Sequence, residues 1–187
     1  MTGEADVAVD AREAATRGRG RGTAAPRVRD AAPADHPAIA ELTMAAYAAG
    51  GHMRREDPYM RQLADVAHRA EHGEVVVVEL DGDVAASAVI TWPGEVLSEL
   101  AREGEMEFRM LAVDPRHQGR GVARTLVRHL MARADQAPGT EAVVLCSLRS
   151  MTAAHALYRS EGFVADPSRD LVVEGVGRFP FFRRRLA

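Results

Sequence analysis

The sequence contains no lysine and no asparagine, so all 24 of its Lys/Arg positions are arginine. A preference for G+C-rich codons accounts for both absences. The single cysteine, Cys146, excludes an internal disulfide bond. No apolar run reaches the roughly 18 residues of a membrane span, and the N-terminal residues lack the apolar stretch of a signal peptide. We therefore expect a cytoplasmic protein.

A net charge of −3 argues against a protein dedicated to nucleic-acid binding, because such proteins are usually basic overall. One local exception is the Arg-Gly repeat at residues 17–22. Its composition fits an arm that contacts RNA or DNA, and also a solvated tail whose arginines are offset by nearby acidic residues. We favour the tail. The sequence thus predicts a disordered segment over residues 1–25 and one folded domain over residues 26–187.

The apolar periodicity predicts a mixed α/β fold of the α+β type. Four helices are expected, over residues 35–47, 57–72, 122–134 and 152–161. Strands are expected over residues 27–29, 75–80, 84–91, 105–113, 142–148, 163–164 and 179–186. The Asp-Gly step between the second and third strands is typical of a hairpin turn. The predicted sheet therefore begins antiparallel, and a strand, a loop and a helix follow in the middle of the chain.

The middle strand alternates between two kinds of side chain. Apolar residues occupy one face, at Met106, Phe108 and Met110, and charged residues occupy the other, at Glu105, Glu107 and Arg109. The strand ends at an Asp-Pro pair, where a loop with two glycines begins.

This loop, with the sequence Gln-Gly-Arg-Gly-Val-Ala at residues 118–123, leads into the third predicted helix. The first N–H groups of a helix lack backbone acceptors, and the helix dipole adds positive charge at the same end. Gly119 and Gly121 allow the backbone to approach a bulky anion closely. Three basic residues lie nearby, at Arg116, His117 and Arg120. The loop therefore suits a diphosphate, although a tight turn would use glycine as well.

Two familiar phosphate-binding motifs do not fit this loop. It has no Gly-Lys-Ser/Thr, so it is not the P-loop of a nucleoside triphosphatase. Arg124 occupies the last glycine position of the dinucleotide-binding fingerprint. Neither the P-loop nor the dinucleotide-binding fingerprint therefore explains this loop.

Two segments of the sequence carry a pattern that narrows the choice of protein family and ligand. The first is Gln118-x-x-Gly121-x-Ala123 after the predicted strand, and the second is Ala154-x-x-Leu157-Tyr158-x-x-x-Gly162-Phe163. In this order they resemble the signatures of the GNAT superfamily of acyl-CoA-dependent N-acyltransferases. The resemblance extends over residues 26–187. It implies a mixed, mostly antiparallel central sheet with splayed central strands, flanked by helices.

The resemblance also implies acetyl-CoA, or a related acyl-CoA, as co-substrate. In the family, backbone N–H groups of the signature loop bind the pyrophosphate, and the pantetheine arm pairs with the preceding strand. The corresponding positions here are Leu111, Ala112, Val113, Gln118, Gly119, Arg120, Gly121, Val122, Ala123 and Arg124. Met151 stands where the family often has an asparagine that contacts the pantetheine. Ser150 or Thr152 is expected to supply part of that contact.

Attack of an amine on a thioester needs a neutral amine, whereas a lysine-type amine has a pKa of about 10.4. The resemblance implies Glu107 as the carboxylate that removes the proton, with Glu105 on the same face as its substitute. The alternative is a surface glutamate paired with Arg109. Tyr158 is implied as the acid that protonates the departing thiolate, and the alternative is a tyrosine packed in the core.

Other reactive side chains carry weaker expectations. Cys146 lies in an apolar strand and is expected to pack there rather than to form an acyl-enzyme. His155 adjoins the predicted active helix and could relay a proton. The histidines lack metal-ligand spacing relative to a cysteine or a pair of carboxylates, so no metal is expected.

We therefore expect an N-acetyltransferase that moves an acetyl group from acetyl-CoA to an amine of a small molecule or peptide, by direct attack in a ternary complex. The acceptor is expected against residues 48–57, beside Trp92 and Glu95. Acidic groups there suit a cationic amine, and Arg54 and Arg55 suit an anionic tail. The alternatives are a non-catalytic acyl-CoA-binding or regulatory protein of the same fold, and an acyltransferase that binds nucleic acid through the Arg-Gly repeat. No membrane partner is expected, and the oligomeric state, a homodimer included, stays open.

Overall fold

The computed structural model describes residues 25–51, 56–174 and 177–187. The Arg-Gly repeat, nearly all of the predicted tail and residues 52–55 of the expected acceptor segment lie outside the described residues. Within the described ranges, every helix is too short or too polar to span a lipid bilayer.

Helices and strands are interspersed along the described chain. The helices are α1 (His36–Ala49), α2 (Pro58–Ala64), α3 (Val66–Glu71), α4 (Val122–Gln136) and α5 (Thr152–Ser160). The strands are β1 (Arg27–Asp30), β2 (Glu74–Leu80), β3 (Asp83–Thr91), β4 (Glu105–Val113), β5 (Ala142–Cys146), β6 (Val164–Ala165), β7 (Leu171–Val173), β8 (Gly177–Phe179) and β9 (Phe181–Arg185).

Seven of these strands form one sheet in the order β1-β2-β3-β4-β5-β9-β6, and β7 and β8 form a separate hairpin. Neighbouring strands of the large sheet run antiparallel, except for β4 and β5, which are parallel. The predicted turn at Asp81 and Gly82 joins β2 to β3, and both residues have a positive φ. The predicted fold class, a mixed and mostly antiparallel sheet flanked by helices, is confirmed.

Helices cover both faces of the sheet. Side chains alternate along a strand, so neighbouring apolar residues of one strand pack against helices on opposite faces. In β2, Val76 belongs to the core cluster that contains Leu126 of α4. Its neighbour Val77 belongs to a second cluster, with Ile39 of α1. Since β2 is buried on both sides, the apolar run at residues 75–78 is continuous rather than alternating.

Two predicted elements are wrong as single pieces. The helix predicted over residues 57–72 is divided at Asp65, whose carboxylate accepts a hydrogen bond from the N–H of His68 at 3.0 Å and caps α3. The strand predicted over residues 179–186 is interrupted at Pro180, which separates β8 from β9. The sequence pattern did not reveal β7 at all.

A bulge in β4 changes the face that its later residues occupy. Ser87 pairs with Ala112 and Val89 pairs with Arg109, so two steps along β3 correspond to three along β4. The extra residue lies between Arg109 and Ala112, where Met110 has a φ of 52°. Met110 packs with the second core cluster, opposite to the face predicted for it. The predicted alternation therefore fails beyond Arg109.

The two parallel strands separate along their length. The pairing of β4 with β5 ends at Glu107 and Val144, although both strands continue. Beyond this level, Met110 and Leu111 have no partner in the described register of β3 or β5. The separation agrees with the splayed central strands that the resemblance implies, and it leaves a gap in the middle of the sheet.

Glu105, at the start of β4, has a buried carboxylate that accepts hydrogen bonds from two arginine side chains and from a backbone N–H group. It accepts hydrogen bonds from Arg169 (2.8 and 2.9 Å), from Arg183 (2.9 Å) and from the N–H of Arg102 (3.1 Å). Burial alone would raise the pKa of Glu105, but these hydrogen bonds, that from Arg169 above all, hold the pKa below its usual value. The network ties β4 to β9 and to the turn at residues 167–169.

We predict that Glu105→Gln lowers the free energy of unfolding by about 2 kcal/mol at pH 7, because two arginines lose a charged acceptor. Since the folded-state pKa is depressed, this contribution is fully present above the usual pKa of 4.5. It is lost as the pH falls through the folded-state pKa. Urea unfolding at pH 7 and pH 4 measures both values, with the exposed Glu103→Gln as control. An equal loss at both pH values, or an equal loss in the control, would contradict the prediction.

Candidate functional site

Two adjoining cavities lie beside the gap between β4 and β5. The larger has a volume of about 640 Å³ and the smaller a volume of about 370 Å³. Four residues line both of them: Tyr47, Leu111, Met151 and Tyr158. A ligand that reaches from one cavity into the other therefore passes between Leu111, just after the bulge in β4, and Tyr158 on α5.

The larger cavity brings together almost all residues that the resemblance assigns to the co-substrate. Its lining includes Leu111, Ala112, Val113, Gln118, Gly119, Gly121, Val122, Ala123, Arg124 and Ser150. Arg120 is not among its described lining residues, because its side chain turns towards the β2–β3 turn. The motif and the strand before it thus form one continuous wall.

The loop before α4 presents backbone N–H groups to this cavity. Gly121 precedes the helix in the left-handed conformation, with a φ of 78°, where any other residue would be strained. Within the described part of the chain, the backbone N–H groups of residues 118–124 donate no hydrogen bond to a protein acceptor. Together with the dipole of the 15-residue helix, these groups form a site suited to a phosphate or diphosphate.

The basic side chains near the loop do not add the free positive charge that the sequence suggests. Each of them faces a carboxylate: Arg116 faces Asp114 (2.6 Å), Arg120 faces Asp81 (2.7 Å), Arg124 faces Glu161, and His117 faces Asp83 (3.7 Å). The expectation of a positive side-chain environment is therefore wrong for these residues. The groups suited to an anion here are therefore the backbone N–H groups and the helix end.

The smaller cavity has apolar walls with polar groups among them. Apolar and aromatic lining comes from Tyr47, Tyr59, Phe108, Leu148, Leu171, Val173 and Phe179. Polar lining comes from Asp57, Gln62, Glu99, Arg109 and Ser147. The β7–β8 hairpin, which the sequence pattern did not reveal, supplies part of this wall. Such a cavity suits a small molecule with an apolar body.

Arg109 is a partly buried cation in the wall of the smaller cavity. Its Nη2 lies 2.8 Å from Oε1 of Glu99, its Nη1 donates to the carbonyl of Leu97, and its Nε lies 3.6 Å from Oε1 of Glu107. Burial would lower the pKa of Arg109, but the two carboxylates raise it, so the guanidinium stays charged. Sequence reasoning missed Glu99, because it lies in an irregular segment without any period.

Tyr158 lies where the two cavities meet. Its ring packs against Phe108 and Phe163, with centroids 5.9 and 6.0 Å away. Burial raises the pKa of Tyr158 above its usual value, so the hydroxyl keeps its proton at neutral pH. The structure therefore agrees with part of each alternative from the sequence: the ring of Tyr158 packs in the core, and the residue also lines the candidate site.

Glu107 is not brought to either cavity. It is fully buried, and its Oε2 accepts four hydrogen bonds, from Ser98 Oγ (3.1 Å) and from the N–H groups of Glu99 (3.0 Å), Leu100 (2.9 Å) and Ala101 (3.2 Å). Its Oε1 receives no hydrogen bond from the described residues. The expectation that Glu107 faces the acceptor amine is not met, because the carboxylate holds the segment 98–101. Glu105, its substitute, is held by arginines and lines neither cavity in the described structure.

The position of the family asparagine is occupied by a residue that lines both cavities. Met151 precedes α5, and its sulfur lies 3.6 Å from the hydroxyl of Ser147. Ser150 and Thr152, the expected replacements, both line the larger cavity. Polar residues therefore line the larger cavity on both sides of Met151 in the sequence.

Two further candidates do not fit a catalytic role. Cys146 lines the smaller cavity, but burial raises its pKa to about 12, so the thiol is protonated at neutral pH. His155 is buried against Phe182, with ring centroids 5.0 Å apart, and burial lowers its pKa. His155 is not among the described lining residues of either cavity, so it does not reach the site as a relay would.

The expected acceptor segment contributes only in part. Ala49 and Gly50 line the larger cavity and Asp57 lines the smaller. Trp92 and Glu95, expected beside the acceptor, are not among the described residues that line either cavity. The Oε2 atom of Glu95 accepts hydrogen bonds from the hydroxyl of Thr91 and the N–H of Trp92, which closes the turn after β3.

One cluster of metal-ligand side chains was missed by the sequence reasoning. His68, Glu71 and His72 have ligand atoms within 4.8 Å of one another, because their spacing places them on one side of a helical turn. All three are at least partly exposed, and none is among the described residues that line the two cavities. The cluster is thus separate from the candidate site.

Comparison with known proteins decides the family. Residues 36–163 match the acetyltransferase (GNAT) family. The chain belongs to this family. The resemblance inferred from the two motifs is thereby confirmed, and family membership supports acetyl transfer as the general reaction.

Solved structures of GNAT proteins share the fold. The ribosomal-protein-S18-alanine N-acetyltransferase of Escherichia coli is 22% identical, with a TM-score of 0.63 over 87% of this chain and 95% of that chain. The Salmonella typhimurium protein yncA, with its cofactor acetyl-CoA, is 24% identical, with a TM-score of 0.62 over 88% and 95%. A Brucella melitensis GNAT acetyltransferase in complex with acetyl-CoA is 21% identical, with a TM-score of 0.61 over 87% and 89%. A search of curated proteins found no match.

We predict that Cys146, the single cysteine, reacts slowly with iodoacetamide in the folded protein, because the thiolate is the reactive form. With a pKa of about 12, the rate should rise about tenfold per pH unit between pH 7 and pH 10. The same chain unfolded in urea is the control, and it should react much faster at pH 8. A rate in the folded protein that levels off below pH 9 would show an ordinary or activated thiol instead.

Proposed function

We propose that the protein transfers an acetyl group from acetyl-CoA to the amine of a small molecule. The observation that carries this proposal is the meeting of the two cavities at Leu111 and Tyr158. A donor in the larger cavity and an acceptor in the smaller one would bring their reacting atoms together at this junction. Such proximity supplies much of the rate advantage of a two-substrate enzyme.

Several features of the larger cavity support acetyl-CoA as the donor. The free N–H groups of residues 118–124 match a pyrophosphate. The edge of β4 at residues 111–113, no longer covered by β5, offers backbone groups to the amides of a pantetheine arm. Bound acetyl-CoA supplies a thioester, whose carbonyl carbon accepts an amine nucleophile.

Tyr158 is proposed as the acid that gives its proton to the departing thiolate. Its position at the junction supports this role. Burial raises its pKa, so the phenol carries its proton before the reaction. Direct transfer is favoured over an acyl-enzyme, since the Cys146 thiol has a pKa of about 12 and is a poor nucleophile at neutral pH.

The size of the smaller cavity favours a small acceptor over a peptide. Its volume of about 370 Å³ falls at the lower end of ordinary ligand sites. The E. coli relative acts, by its name, on an alanine of ribosomal protein S18. Such a protein substrate would need to pass its N-terminus into this cavity.

Met151 supports a second candidate function, the binding of acyl-CoA without turnover. A thioether in the wall of both cavities cannot replace the hydrogen bonds of an asparagine amide, which would favour a protein that binds acyl-CoA without turnover. The two functions separate in one experiment. A thermal-shift screen identifies the acyl-CoA that binds, and a thiol assay with a panel of primary amines then measures turnover. Binding with amine-dependent thiol release supports the transferase, and binding without any release supports the second function.

We predict that Tyr158→Phe lowers kcat about a hundredfold, because the thiolate loses its proton donor while the ring still packs in the core. The dissociation constant of acetyl-CoA should change less than threefold. Steady-state kinetics and calorimetric titration measure the two quantities. An unchanged kcat would remove Tyr158 from the mechanism, and a parallel loss of binding would indicate a packing role.

A further inference from the structure

Two carboxylates are among the described residues that line the smaller cavity, Asp57 and Glu99. Asp57 is already used, since its Oδ1 accepts a hydrogen bond from the N–H of Tyr59 at 3.0 Å and caps α2. Glu99 binds Arg109 through Oε1 alone, and its side chain is 47% exposed. Its Oε2 has no hydrogen-bond donor among the described residues, so it can accept one from a ligand.

The backbone that carries Glu99 is held in place from inside the protein. The N–H of Glu99 and those of the next two residues all donate to Oε2 of Glu107. Arg109 adds a hydrogen bond to the carbonyl of Leu97. A half-exposed loop residue therefore has the fixed backbone that a catalytic carboxylate requires.

We propose that Glu99 is the carboxylate that binds the ammonium group of the acceptor and removes its proton, and that Glu107 is a positioning residue that holds Glu99. This inference rests on the proposed acetyl transfer. An N–H bond of the acceptor breaks and its proton passes to Oε2 of Glu99. The freed lone pair forms a bond to the thioester carbonyl carbon, the C–S bond breaks, and the sulfur takes a proton from Tyr158. The nitrogen of the new amide loses its second proton to solvent. Solvent also returns a proton to Tyr158 and receives one from Glu99, so one proton is released in all.

The same charges indicate the class of acceptor. Among the described lining residues, Asp57 and Glu99 are anionic and Arg109 is cationic. Glu99 and Glu107 lie 2.8 and 3.6 Å from nitrogen atoms of Arg109 and offset its charge, so a carboxylate on the acceptor would meet little unbalanced positive charge. The acceptor is therefore an amine with an apolar body and no carboxylate beside the amino group.

The test compares wild type with Glu99→Gln, Glu99→Asp and Glu107→Gln. The control is Glu103→Gln, an exposed glutamate four residues after Glu99 that lines neither cavity in the described structure. The substrates are acetyl-CoA with 2-phenylethylamine or with phenylalanine, which differ by one carboxylate. The readouts are thiol release between pH 6 and pH 10, the dissociation constant of acetyl-CoA and the Tm.

We expect wild type to acetylate 2-phenylethylamine at least tenfold faster than phenylalanine. Glu99→Gln should lose about a hundredfold in kcat/KM at pH 7. It should keep its acetyl-CoA affinity, and its Tm should fall less than that of Glu107→Gln, because Glu99 is half-exposed. It should recover activity towards pH 10, where the amine is neutral without help. Glu99→Asp should retain part of the activity. Glu107→Gln should lower the Tm and the rate together while the pH profile keeps its wild-type shape, because Glu99 is still present.

Three outcomes would overturn the inference. If Glu99→Gln releases thiol at the wild-type rate, Glu99 has no role, while the proposed acetyl transfer stands. If Glu103→Gln loses as much as Glu99→Gln, the effect is a general one of charge on this segment. If wild type releases no thiol with any amine, the proposed function fails and this inference fails with it.

Discussion

The separation of β4 from β5 beyond Glu107 and Val144 is the constraint on which the rest of the site depends. Paired strands satisfy each other's backbone groups, so a ligand can reach a strand edge inside a sheet only where the pairing stops. The bulge at Met110 lies just beyond this level and turns the strand so that Leu111 faces both cavities. The separation thus creates the space, and the bulge determines which residues border it.

Charge is distributed so that few groups are left without a partner. The basic residues around the signature loop are paired with carboxylates, which leaves anion recognition to backbone N–H groups that no side-chain motion can withdraw. On the acceptor side, Arg109 stays charged between two glutamates of different exposure. The buried Glu107 holds residues 98–101, and the half-exposed Glu99 keeps one carboxylate oxygen available for a ligand.

Local sequence patterns predicted most of the fold, and the two family motifs predicted many of the residues that line the larger cavity. The Asp-Gly turn, the valine run of β2 and the glycine loop before α4 each depend on neighbouring residues, and each is where the pattern placed it. The bulge was not predictable, because nothing near Met110 indicates a positive φ. Glu107 was assigned to the site through the family resemblance, and the alternation along its strand gives a face but not a partner. Its four donors come from an irregular segment without periodicity, and the same irregularity concealed Glu99.

Amide hydrogen exchange with and without acetyl-CoA tests the central claim most directly, because the co-substrate is proposed to bind named backbone N–H groups. We expect acetyl-CoA to slow exchange at residues 118–124 and at residues 111–113. The hairpin of β2 and β3 away from the loop should be unaffected. Unchanged exchange in both segments under saturating acetyl-CoA, or slowing confined to other parts of the chain, would contradict the account.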